Sequence, residues 1–243
     1  MFRVLEICTA NIASAVAAQM AGATRIELCS ELAAGGVTPS VGVIEQVRSR
    51  IDIAINVLIR PRSGDFLYSS DEVESVLRDI AWCSKLGVQG VVVGALTPDA
   101  KVDVDASRQW LKEARSRGLS ATFHRAIDCA ENIFDATEVI ASMGYDRILT
   151  SGGFPTAYEG IENIAKMLQM TSGKGPIIMP GSGVNPDNIR EIITRTKAEE
   201  IHFSASSVYP SGMKVLGGIA KEETLTQSDP LKIKAAIQTL MSL

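Results

Sequence analysis

Two short segments, Leu5-Glu6-Ile7-Cys8 and Ile26-Glu27-Leu28-Cys29, each set a carboxylate and a thiol two residues apart in an apolar run. On a β-strand, side chains two apart share one face. Glu6 and Cys8 therefore point the same way, as do Glu27 and Cys29. Were the two strands neighbours, two acids and two soft sulfurs would converge on one small volume. A core selected for burial alone rarely carries two carboxylates. Acids so placed suit general acid–base chemistry. Two thiolates without histidines or further cysteines at finger spacing do not make a zinc site, but they suit a soft, low-coordinate ion such as Cu(I). Buried, inert core sulfurs are the competing reading, and spacing alone leaves both open.

Other reactive side chains follow later apolar runs. Arg60-Pro61-Arg62 and Asp65 come after the third run, and His124, Arg125 and Asp128 after the fifth. Glu6, Glu27, Asp65, His124 and Asp128 are the candidate proton carriers. An unperturbed histidine titrates near neutrality, which fits His124 to that task. Arg60 and Arg62 share a face if the strand continues through Pro61. Their planar forks suit a carboxylate or phosphate, or they neutralise Glu6 and Glu27; Arg125 could join an anion. Gly152 and Gly153, Gly181 and Gly183, with Ser204 beside them, would let backbone N–H groups approach an anion, or simply serve tight turns. Cys83 falls three after Ile80 and seven after Val76 and belongs to a helix's apolar face. Cys129 and Met179 are weaker candidate ligands, as is His202.

These residues need elements to hold them. Eight Val/Ile/Leu-rich runs recur: Arg3–Cys8, Arg25–Cys29, Ile53–Ile59, Gly90–Gly94, Ser120–His124, Arg147–Thr150, Pro176–Met179 and Glu200–Ser204. Such runs suit strands covered on both sides. Amphipathic stretches lie between them. In 72–86, Val73, Val76, Leu77 and Ile80 recur at helical spacing, and Ser69 with Glu72 forms a capping box. Thr38-Pro39, Asn185-Pro186 and Asp229-Pro230 predict helix starts with proline first. Eight β-then-α units predict an α/β fold, a (β/α)8 TIM barrel, over a doubly wound open sheet. No linker divides the chain, so residues 1–243 are expected to form a single domain. The chemistry then gathers at the C-terminal ends of the strands.

Composition narrows the function. The chain has 243 residues, 46% hydrophobic and 21% charged, and a formal net charge of −4. That balance argues against nucleic-acid partners, which need a basic face. No apolar run is long enough to span a membrane, and the N-terminus does not resemble a signal peptide. Four widely spaced cysteines favour reduced thiols in a cytoplasmic setting.

Several stretches together resemble the CutC family. They are E-I-C near the start, R-I-E-L-C-S-E-L-A-A-G-G-V-T-P-S, I-R-P-R-S-G-D-F-x-Y-S, T-F-H-R-A-I-D, R-I-L-T-S-G-G, I-I-M-P-G-S-G-V and E-x-I-H-F-S-A. They run in order from Leu5 to about Ala205, and the match weakens afterwards. The resemblance implies a cytosolic TIM-barrel protein associated with copper homeostasis, usually a homo-oligomer. It also implies Cu(I) binding at the positions of Cys8 and Cys29. The alternative expectation is an enzyme acting on a small anionic metabolite, held by the arginines and glycine loops.

Overall fold

A computed structural model describes residues 4–173, 175–213 and 224–243. Eight parallel strands form the sheet: β1 (Val4–Thr9), β2 (Arg25–Leu28), β3 (Ala54–Leu58), β4 (Gly90–Val93), β5 (Ser120–Phe123), β6 (Arg147–Thr150), β7 (Ile177–Pro180) and β8 (Glu200–Phe203). Their hydrogen-bonded order is β7-β6-β5-β4-β3-β2-β1-β8. At the remaining seam β7 lies beside β8, where a Cβ added to Gly181 would sit 3.4 Å from the Cβ of His202. The fold is a (β/α)8 barrel. All eight apolar runs supply a strand; Arg3, the expected start of the first, lies outside the described residues.

The helices are α1 (Ile12–Met20), α2 (Val41–Arg48), α3 (Ser70–Lys85), α4 (Val104–Ser116), α5 (Ile133–Met143), α6 (Ile161–Thr171), α7 (Ile189–Thr196) and α8 (Pro230–Met241). The capping box of α3 forms as its sequence predicts, with Ser69 Oγ accepting from the Glu72 N–H and the Glu72 carboxylate from the Ser69 N–H. Pro230 opens α8 behind its cap Asp229. The other two proline expectations are off by a few residues. Ser40 caps α2, one residue after Pro39. Asn185-Pro186 begins a turn in which Asn185 Oδ1 accepts from Asp187 and Asn188, so α7 starts only at Ile189. None of the described helices is long and apolar enough to cross a membrane.

Alternation along the strands divides the interior in two. One set of side chains, including Ile7, Ile26, Ile55, Phe123 and Ile148, packs outward beneath the helices and is fully buried. Each such side chain contributes about 1.5–3 kcal/mol. The other set points into the barrel. There Cys8, Cys29, Leu58 and Val92 form a small apolar cluster of their own. After β8 the chain adds an antiparallel hairpin, β9 (Ser206–Pro210) with β10 (Thr224–Ser228).

Candidate functional site

Strand register assembles the barrel's interior chemistry. Glu6 of β1 lies opposite Arg25 of β2 on one side and His202 of β8 on the other. Cys8 lies opposite Glu27. Arg25 Nε donates to Glu6 Oε2 at 2.5 Å and its Nη2 to Glu200, which also receives Arg147 Nε at 2.7 Å. Asn56 adds a hydrogen bond to Glu6 at 3.1 Å. Desolvation pushes the Glu6 carboxyl up, but Arg25 and the His202 hydrogen bond overcome it and hold its pKa at about 2.

His202 bridges this network to the thiols. Its Nδ1 lies 2.9 Å from Glu6 Oε1 and its Nε2 3.8 Å from Glu27 Oε2. Burial lowers the His202 pKa, yet Glu27 and Glu6 more than offset this and raise it. Three carboxylates (Glu6, Glu27, Glu200) face two guanidiniums (Arg25, Arg147), so a protonated His202 balances the cluster. Among the described residues no guanidinium pairs with Glu27, and burial raises its pKa.

The thiols meet above this layer. Cys8 Sγ lies 3.8 Å from Cys29 Sγ and 3.4 Å from Glu27 Oε2. Ligand atoms of Cys8, Glu27 and His202 all lie within 4.8 Å of one another. The hydrogen bond with Cys29, burial and the nearby Glu27 charge push the Cys8 thiol well above its ordinary pKa. The loop at 33–36 seals Cys29. Gly36 takes a φ of +86°, and a Cβ there would press to 2.6 Å from Leu58 Cδ2 and 3.7 Å from Cys29 Sγ. Cys8 instead opens into a cavity of about 640 Å³ at the C-terminal ends of the strands. A second cavity of about 450 Å³ reaches it from the hairpin side.

The remaining sequence candidates separate. Glu27, Arg60, His124, Arg125, Asp128, Gly183, His202 and Ser204 border the mouth cavity. Arg62 and Asp65 do not. The chain turns after Arg60, and Arg62 pairs outward with Asp65 (2.9 Å) and Glu72 (2.6 Å). The expected shared face of Arg60 and Arg62 is therefore absent, and Asp65 is an exposed partner rather than a proton carrier. Nor does either arginine neutralise Glu6, a task that falls to Arg25.

Asp128 is saturated. It accepts from Arg125 Nε, Thr150 Oγ1, Ser151 N and Oγ, and Gly153 N, which makes it the organiser of the 150–153 turn rather than a free base. The same bonds occupy the Gly153 N–H, while Thr150 Oγ1 takes the Gly152 N–H and Thr150 O the Gly181 N–H. Those three amides are unavailable to an anion. His124 also departs from expectation. Burial, then the nearby Arg60 charge, depress its pKa to about 3, so it is neutral at physiological pH. Met179 Sδ accepts from Arg25 Nη2 at 3.4 Å, beneath the thiols' layer. Cys83 is buried in the outer core and Cys129 is exposed at the mouth.

The sequence profile of the CutC family matches residues 3–207, a span that holds every residue of this cluster. The chain belongs to the CutC family. A CutC family protein of Glaesserella parasuis is 41% identical over 239 residues, covering 96% of this chain and 97% of the relative. Another, from Parabacteroides distasonis, is 44% identical over 248 residues, covering 98% of this chain and all of the relative. Among solved structures, a CutC protein of Streptococcus agalactiae, described as a candidate copper homeostasis protein, superposes with a TM-score of 0.78. It is 30% identical and covers 84% of this chain and 99% of its own. Phosphoribosylanthranilate isomerase of Thermotoga maritima shares the barrel alone, with a TM-score of 0.59 at 13% identity, each chain covered in full.

Two charged residues of this CutC barrel's buried cluster escaped sequence reasoning. Arg25 and Glu200 stand at the same parity as Glu27 and His202. The alternation that placed Glu27 inward places them inward as well.

Proposed function

We propose that this CutC protein is a copper homeostasis protein of the cytosol that binds a cuprous ion between Cys8 and Cys29. The observation that carries this reading is the 3.8 Å separation of the two sulfurs in an apolar pocket of Leu58 and Val92. Soft sulfur donors select Cu(I) over harder ions. With metal–sulfur bonds of roughly 2.3 Å, sulfurs this far apart subtend an angle of about 110° at the ion. That angle leaves room for a third donor. Glu27 and His202 stand nearest Cys8, and the imidazole is the softer of the two. The raised pKa of Cys8 keeps that thiol protonated at rest, so copper displaces its proton on binding.

We infer as well that the chain forms a homo-oligomer, as the family resemblance implies, which light scattering tests. The copper site itself is tested by anaerobic Cu(I) titration of the reduced chain against a competing chelator. One ion per chain is expected, with binding lost in both Cys8→Ser and Cys29→Ser. Binding that survives both substitutions would return the thiols to the core.

A further inference from the structure

Arg60 is buried yet carries an unbalanced charge. It forms no salt bridge among the described residues. Its Nη1 donates to the carbonyls of Ala34 (3.2 Å) and Gly36 (3.0 Å), and its Nη2 to that of Gly64 (2.6 Å). These acceptors are neutral, and the residue is only 6% exposed. A buried cation without an anionic partner is uncommon and costly. Among the described residues the buried Arg60 Nε has no acceptor in hydrogen-bonding geometry, and the neighbouring Tyr68 hydroxyl is the one protein group close enough to compete for it.

His124 presents a matching anomaly beside the same Phe66 ring. Its Nδ1 accepts the Ala126 N–H at 3.1 Å, which fixes the neutral ring in the tautomer with hydrogen on Nε2. That Nε2 is also buried without a partner. The Phe66 ring joins the two groups. It stacks under the Arg60 guanidinium at 4.8 Å from its centroid and lies 5.1 Å from the imidazole centroid. All three border the mouth cavity. Buried donors without acceptors are rare in native proteins, and two together imply that something brings an acceptor.

We propose that Arg60 and His124 form the anion-recognising end of a binding site for a small metabolite bearing a carboxylate or phosphate group. The head group accepts from Arg60 Nε–H and His124 Nε2–H and balances the guanidinium. Its body extends over Phe66 and Leu32 toward Glu27 and Cys8, within a cavity whose 640 Å³ suits a small organic molecule. The site does not depend on copper, and failure of metal binding at the thiols would leave it standing. It also differs from the arrangement expected from sequence, since Arg62, Gly152 and Gly153 take no part.

Calorimetric titration of the full, copper-free chain with inorganic phosphate, and separately with succinate, tests the site. Saturable one-site binding of at least one probe is expected, and the stronger probe identifies the head group. His124→Asn keeps an acceptor for the Ala126 N–H but removes the Nε2–H; Arg60→Gln removes the charge. Each should weaken binding at least tenfold, while Arg62→Gln changes it less than twofold. Should either variant misfold, the unmodified protein decides by NMR, where the His124 Nε2–H resonance should shift with the same saturation curve. No saturable binding of either probe, binding indifferent to both variants, or an unmoved His124 resonance overturns the proposal.

Discussion

Replacing Arg25 with methionine removes the cation that holds two buried carboxylates and, through Glu6, orients His202 toward Glu27 and the thiols. The structure sets the size of the effect. Glu6 falls from its ordinary pKa of 4.5 to about 2 despite complete burial. At about 1.36 kcal/mol per pH unit, that difference is worth about 3 kcal/mol of folding stability, shared between Arg25 and His202. Independently, removing one partner of a buried ion pair costs about 3–5 kcal/mol. For a chain of this size the loss corresponds to a Tm lower by roughly 6–20 °C. The sign in pH follows from the depressed carboxylate. Its contribution is fully present above pH 4.5 and is lost as pH falls toward 2. The gap between wild type and Arg25→Met should therefore be widest near neutrality and close below pH 4.5. Urea unfolding followed by circular dichroism across that range measures both. Glu6→Gln added to Arg25→Met should recover part of the loss, since no unpaired charge then remains on Glu6. A variant within about 1 kcal/mol of wild type at pH 7 would refute the view that this network supports the site.

Three further outcomes follow from the geometry. Asp128→Ala strips four hydrogen-bond donors of their acceptor at the turn after β6, Ser151 Oγ keeping the Phe154 carbonyl, and should cost about 2–4 kcal/mol, read by the same unfolding assay. Brief iodoacetamide treatment of the reduced native protein should label exposed Cys129 and spare Cys8, Cys29 and Cys83, with peptide mass spectrometry locating the adduct. Because the Cys8 thiol pKa lies above its ordinary value, apparent Cu(I) affinity should fall about tenfold per unit of pH for each proton displaced as pH drops from 8 to 6. Chelator competition at several pH values reads that slope.

How far the sequence carried the account depends on the kind of information each residue needed. Period-two alternation is local and strict, so the inward set of β1 and β2 was legible from Glu6, Cys8, Glu27 and Cys29 alone. Capping is equally local, and Ser69 with Glu72 marked the start of α3 correctly. Arg62 failed because its orientation is set by a turn at Pro61 and by Glu72 ten residues on. Gly153 failed because Asp128 reaches its N–H from the turn after β5, and Gly152 because the Thr150 hydroxyl folds back onto its N–H. The tautomer of His124 follows from the Ala126 N–H, and its depressed pKa from burial and from Arg60, two residues beyond the end of β3. The β9–β10 hairpin was missed because its strands are mostly exposed and polar, without the apolar runs that marked the barrel.

X-ray absorption at the copper edge of the Cu(I)-loaded, reduced chain tests the central claim most directly. Two sulfur neighbours and one lighter donor are expected, and the Cys29→Ser variant, loaded in the same way, should hold no copper in a sulfur environment. A copper environment of nitrogen and oxygen alone, or a sulfur count unchanged in that variant, would contradict a thiol-pair site at the barrel mouth.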